Sequence, residues 1–167
     1  SVRRGSPWLG GMLPYSPLHH LLMEAFPFPV VCTSGNLSDE PIATANDEAH
    51  TRLAGVADAF LDHNRPIARP CDDSVARTTA GRTTLLRRAR GYAPLPVWTG
   101  TAMPKVLALG GHLKNTVALA IGRQVVVSQH IGDLDSPESR DAFRQTIDDM
   151  CRLYEFRPDA AACDLHP

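Results

Sequence analysis

The chain has 167 residues, 43% of them apolar and 21% charged, with a formal net charge of −1 at pH 7. That composition excludes a disordered or collagen-like chain and a broad basic surface for nucleic acid. No apolar run approaches the ~20 residues of a membrane span, so a globular protein off the membrane is expected.

Segment 8–15, apolar and closed by Pro14, reads as a strand. Ser16 then caps a helix opened by Pro17, with Leu18, Leu21, Leu22, Ala25 and Phe26 at the spacing of one buried stripe. Pro27 and Pro29 stop it. Residues 30–33 read as a buried strand delivering a polar loop, 33–41, crowded with hydroxyl, amide and glycine residues. Asn46 is expected to cap the next helix, with Asp47 and Glu48 in its first turn and Ala49, Leu53 and Val56 on its apolar face. Residues 59–64 read as a short strand, and 72–77 with 83–88 as a hairpin turned through 79–82.

Pro94, Pro96, Gly100 and Pro104 give 91–104 the composition of a linker, which divides the chain into 1–90, the linker, and 105–167. Beyond it, 105–109 reads as a strand, Gly110-Gly111 as a turn, and 116–121 with 124–129 as a hairpin turned at Gly122-Arg123. Ser136, Pro137 and Glu138 open a long helix striped by Phe143, Ile147, Met150, Cys151 and Tyr154, and 160–164 reads as a strand. The last part has too few elements to bury a core of its own.

Three clusters have residues suited to phosphate or acyl chemistry. Ser34 and Asn36 flank Gly35, whose flexible backbone can present N–H groups to an anion. Asp73-Ser74 stands with Arg87, Arg88 and Arg90, whose guanidinium forks suit phosphate; strand alternation would place Arg88 and Arg90 opposite Arg87. The third is the turn Gly110 through Lys114 and Asn115, followed by His130 and Asp133 as acid–base or metal-ligand candidates. By spacing alone the ordinary readings prevail: S-x-N is a turn, arginines at a strand end are solvated, and a lone histidine after a strand is structural. His19 and His20 lie off the helical stripe, and His166 is equally ambiguous. The cysteines Cys32, Cys71, Cys151 and Cys163 form no C-x-x-C pair and read as reduced core thiols. With no charged-then-apolar leader in view, they favour the cytoplasm.

As an ordered set these motifs are more specific. Met12-Leu13-Pro14-Tyr15-Ser16-Pro17-Leu18-His19-His20, Thr33-Ser34-Gly35-Asn36-Leu37-Ser38, Asp72-Asp73-Ser74-Val75 and Arg87-Arg88-Ala89-Arg90-Gly91-Tyr92 resemble the second half of the YrdC-like domain of HypF-type carbamoyltransferases. Leu109-Gly110-Gly111-His112-Leu113-Lys114-Asn115-Thr116, Ser128-Gln129-His130-Ile131-Gly132-Asp133 and Cys163-Asp164-Leu165-His166-Pro167 resemble the start of the domain that follows. The fold implied is α/β: part of a YrdC-like twisted mixed sheet with helices, then the first strands and helix of an actin-like ATPase-type domain.

The resemblance also implies a function, ATP-dependent carbamoyl transfer in nickel–iron hydrogenase maturation. Carbamoyl phosphate and ATP yield carbamoyl-adenylate, and the carbamoyl group passes to the C-terminal cysteine of HypE. It places Ser34 and Asn36 on the intermediate, with Ser74 and Arg87 or Arg88 at the nucleotide. Lys114, Asn115, His130 and Asp133 are candidates in the transfer domain, and no catalytic residue or metal ligand is assigned. ATP with Mg²⁺ is the implied cofactor, zinc or iron being expected only in parts outside this stretch; no membrane or nucleic-acid partner is implied. The K-x-R half of the YrdC-like signature has no counterpart here, and Met12 stands where threonylcarbamoyl-adenylate synthases of this fold carry an arginine. Two rivals remain: such a synthase acting for tRNA, and a non-catalytic nucleotide-binding module.

Overall fold

Ser16 opens helix α1 (Pro17–Ala25) as its sequence directs: its Oγ accepts the His19 N–H at 3.2 Å and Pro17 takes the first turn, where no backbone donor is needed. The computed structural model describes residues 7–38 and 40–165, so Asp39 and His166 lie outside it. The chain forms two compact units, one ending at Thr33 and one beginning at Ser34. In the first, α1 is the one regular element among the described residues. The strands expected at 8–15 and 30–33 are irregular chain, and the α1 stripe is not buried, Leu21 and Phe26 being 62% and 55% exposed. Apolar spacing found the helix but not a layer for it to cover.

The second unit begins with the polar loop. Gly35 O accepts from Ala43 N at 3.0 Å and Glu40 N donates to Leu37 O at 3.2 Å, which closes the loop upon itself. Helix α2 (Asn46–Leu53) follows. Its N-cap is Ala45 rather than Asn46, because Glu48 reaches back to the Thr44 N–H at 3.2 Å while the Asn46 amide turns away to His63 O. Arg52 is held by both Glu40 and Glu48, tying helix to loop. The helix ends before Val56, which is exposed, and 59–64 carries no strand.

The hairpin is present as β1 (Val75–Thr79) and β2 (Arg82–Arg87), turned at Ala80-Gly81 with both residues at positive φ. Much of the stretch with linker composition is strand: β3 runs from Pro96 to Ala108. It tolerates Gly100 and Pro104 because its ladder with β4 shifts register between Trp98 and Met103 and again before Val106. The second hairpin is not formed. β4 (Ala118–Val127) passes straight through Gly122-Arg123, with Gly122 at φ +60 opposite Met103, so the glycine serves a bulge rather than a turn.

Helix α3 (Pro137–Leu153) has the expected Ser136 cap, accepting from Ser139 N at 3.0 Å, and β5 (Ala160–Ala162) lies parallel to β3 in the order β4-β3-β5. The core sits here. Val117, Leu119, Val126, Met150 and Phe156 are buried, and Phe143, Ile147, Cys151 and Tyr154 pack against them. The expectation that 105–167 could not bury a core is therefore corrected: with β3 lengthened to thirteen residues, three strands and one amphipathic helix suffice to enclose five apolar side chains. Truncating one of these typically costs about 2–5 kcal/mol.

Candidate functional site

Ser74 precedes β1 and is a latch. Its Oγ accepts the Ala89 N–H at 2.8 Å and donates to Arg90 O at 2.9 Å, while Asp73 and Arg90 form a parallel bridge. This holds the segment after β2 beside 72–74 and directs three arginines differently. The Arg87 Nη1 lies 3.8 Å from Asp72 Oδ2, Arg88 Nη2 donates to Leu95 O at 2.6 Å, and Arg90 reaches Asp73 (3.3 Å) and Cys71 O (3.1 Å). Among the described residues the buried Arg88 Nε has no acceptor. Arg87, held among the described residues by a long ion pair and with a side chain 42% exposed, is the guanidinium best able to exchange its partner for an anion.

The sequence sets His130 near Asp133, but the fold turns it to Asp72. Its Nδ1–H donates to Asp72 Oδ2 at 2.8 Å and its backbone N–H to Arg88 O at 2.9 Å, so it fastens the loop after β4 onto the arginine segment. A cavity of about 60 Å³ opens beside this pair, lined among others by Arg69, Cys71, Gln129 and Asp149. Burial pushes the Cys71 thiol up from its ordinary value, with Arg90 partly opposing, and burial likewise raises Cys151. Both thiols stay protonated at neutral pH.

The second cluster forms from two loops knitted together. Gly110, at φ +68, passes so close to Thr116 that a Cβ would stand 2.5 Å from its carbonyl oxygen. The Asn115 amide nitrogen donates to Leu109 O (2.9 Å) and Gly111 O (2.6 Å), so this turn points carbonyls inward at Asn115. The Asn115 backbone pairs with 131–132 across the gap, and His112 meets Asp135 at 2.8 Å. Asn115 Oδ1 is buried and has no hydrogen-bond partner among the described residues. Asp133 accepts both the Lys114 N–H (2.7 Å) and its ammonium (2.9 Å to Oδ2). The backbone donor is the main cause, and the ammonium the next, of an Asp133 carboxyl held below the usual carboxylate range.

The structure thus brings the 87–90 segment and His130 to Asp72 and Ser74, sets Asn115 against Gly110, and joins Lys114 to Asp133. Ser34 is exposed, and Asn36 bonds within its own loop, Nδ2 to Leu37 O at 2.7 Å. Among the described residues no hydrogen bond joins Ser34 or Asn36 to Ser74, Arg87 or Arg88. Sequence reasoning missed Asp72 as the shared partner; its neighbour Asp73 drew attention, and the 58 residues separating Asp72 from His130 conceal the pair. No group of three or more His, Cys, Asp or Glu among the described residues could hold a metal ion, and no described helix is long and apolar enough to cross a membrane.

Two family models account for nearly all of this. Residues 1–89 match the Sua5/YciO/YrdC family, described as telomere recombination, and residues 101–167 match the HypF Kae1-like domain, which makes the chain a YrdC-type segment followed by a Kae1-like one. That combination places it: the chain belongs to the family of HypF carbamoyltransferases. It is 49% identical over its whole length to carbamoyltransferase HypF of Synechocystis sp., and 46% identical over 98% of its length to that of Rhodobacter capsulatus. It spans 22% of the length of each. A crystal structure of full-length HypF in the phosphate- and nucleotide-bound form matches 93% of this chain at a TM-score of 0.87 and 44% identity, with 25% of that chain covered.

Proposed function

We propose that this chain is an internal part of a HypF-type carbamoyltransferase, dividing at 91–104 between the end of an adenylating domain, 1–90, and the start of a transfer domain, 105–167. The observation that carries the reading is the unbroken likeness to carbamoyltransferase HypF across both family segments. The partner of the similar crystal structure, phosphate and nucleotide, is the chemistry that an exchangeable Arg87 and an orphaned Arg88 Nε suit.

In the first step a carbamate oxygen, released from carbamoyl phosphate, attacks the α-phosphorus of ATP; the bond to the β-phosphate oxygen breaks and pyrophosphate leaves. Arg87 and Arg88 neutralise the charge gathering on the phosphates, Ser74 holds the arginine segment in register, and Ser34 with Asn36 takes the carbamoyl and phosphate ends of the adenylate. In the second step the thiolate of the C-terminal cysteine of HypE attacks the carbamoyl carbon, the carbon–oxygen bond to AMP breaks, and AMP departs. Lys114, steadied by Asp133, offers a cation at the transfer segment. The adenylate is a mixed anhydride, so passing it within one protein limits hydrolysis. ATP arrives with Mg²⁺, which shields phosphate charge when bound; zinc or iron, together with the cytoplasmic setting and the role in hydrogenase maturation, belongs to the same proposal.

The test is carbamoyl-phosphate-dependent exchange of labelled pyrophosphate into ATP by the full-length protein. Exchange that requires carbamoyl phosphate supports the reading. Exchange that requires threonine would turn it toward a threonylcarbamoyl-adenylate synthase, and no exchange at all toward a non-catalytic module. Asn36→Ala should abolish exchange while lowering stability by only about 1 kcal/mol.

A further inference from the structure

One carboxylate oxygen serves two partners from separate strands of the second unit, Arg87 at the end of β2 and His130 just after β4. Asp72 Oδ2 lies 2.8 Å from His130 Nδ1 and 3.8 Å from Arg87 Nη1. His130 is well covered, its side chain 14% exposed, whereas Arg87 is 42% exposed. The other groups at this point are committed elsewhere: Arg90 donates its backbone N–H to Asp72 O and its side chain to Asp73 and Cys71 O, and the Cys71 thiol faces Asp72 O at 3.6 Å. The carboxylate is therefore shared between a fixed donor, His130, and a loosely held cation, Arg87.

We propose that Asp72 and His130 are positioning residues that set how readily Arg87 is surrendered to phosphate. His130 competes with Arg87 for one oxygen, so a firm His130–Asp72 bond leaves the guanidinium free to meet a nucleotide. Linkage makes the effect reciprocal: nucleotide that draws Arg87 away leaves Asp72 to His130 and tightens the loop 128–135. The same loop carries Asp133, the partner of Lys114. Occupancy of the adenylating segment is thereby registered at the transfer segment. This inference rests on the reading of Arg87 as a phosphate ligand.

The experiment is calorimetric titration of ATP into the full-length protein and four variants, each first checked for its melting temperature. His130→Ala leaves Asp72 to Arg87 and should weaken ATP binding about two- to fivefold, the range an exposed ion pair supports. Asp72→Asn keeps the size of the side chain but releases Arg87, and should tighten ATP binding by a similar factor. His130→Asn retains an N–H donor and should return the affinity to within about twofold of the parent protein. A merely structural role would move His130→Ala and Asp72→Asn in the same direction, and that result, or no change in either, overturns the inference. Should His130→Ala unfold, the sign for Asp72→Asn decides alone. Arg87→Ala separates the two levels: unchanged ATP affinity there defeats the reading of Arg87 itself, whereas weakened affinity with no tightening in Asp72→Asn defeats only the coupling.

Discussion

Residues 34–90 and residues 96–162 contain similar numbers of elements and have opposite interiors. The earlier stretch has α2, β1 and β2, yet among its described residues Ala89 alone is a buried apolar one; the later stretch has β3, β4, α3 and β5 and encloses five. Closure makes the difference. A two-stranded ribbon offers no face broad enough for a helix, whereas three strands joined through β3 give the α3 stripe a surface to cover. Order in the earlier stretch depends instead on polar latches: Ser74 to Ala89 and Arg90, Arg52 to Glu40 and Glu48, and His130 to Asp72. Apolar packing builds the later stretch, and hydrogen bonds to it hold the candidate nucleotide segment.

The strongest way to break this comparison is in the core. Leu119→Ala should lower the unfolding free energy measured in urea by about 2–5 kcal/mol, while Leu21→Ala on the exposed face of α1 should change it by less than about 0.5 kcal/mol. Equal effects would mean that the α1 stripe is buried after all. Gly110→Ala comes next, since a methyl group would meet Thr116 O at 2.5 Å on a backbone at φ +68; about 2 kcal/mol or more should be lost, against almost nothing for Gly10→Ala, which has open space. Ser74→Ala tests the latch. It strands the Ala89 N–H and should cost about 1–2 kcal/mol, with Ser74→Thr keeping most of it.

The smallest effect concerns pH. Asp133 has a folded value below the ordinary 3.8, so its contribution is fully present above that value and is lost as pH falls through the lower folded value. Unfolding curves of the parent chain and Asp133→Asn should therefore differ at pH 6 and converge well below pH 4. Convergence at higher pH would show that Lys114 does not hold this carboxylate.

Features written in short-range chemistry were legible in advance: the Ser16 and Ser136 caps, the α3 stripe, the β1–β2 hairpin and the strand at 160–162. Those that failed depended on partners far along the chain. Gly122 and Pro104 carry the composition of a turn and a linker, but pairing across β3 and β4 turns both into strand irregularities. Residues 30–33 have the apolar content of a buried strand and find no ladder. At the site, the residue types are evident in the sequence, and the structure sets Ser74 beside the 87–90 segment and Lys114 against Asp133. Spacing sets His130 beside Asp133 as a fellow candidate, since it reveals only near neighbours; the partner of His130, Asp72, emerges only on folding.

The proposed division of labour has adenylate formed at the arginine segment and the carbamoyl group passed on beside Lys114. Its most direct test is the ratio of carbamoyl transfer to pyrophosphate exchange in the full-length protein. Arg87→Ala should depress exchange and transfer together, on the order of tenfold or more, and leave their ratio near that of the parent. Lys114→Ala should lower the ratio. If Lys114→Ala depresses exchange as far as transfer, or Arg87→Ala spares exchange, the assignment of the two steps to the two segments is wrong.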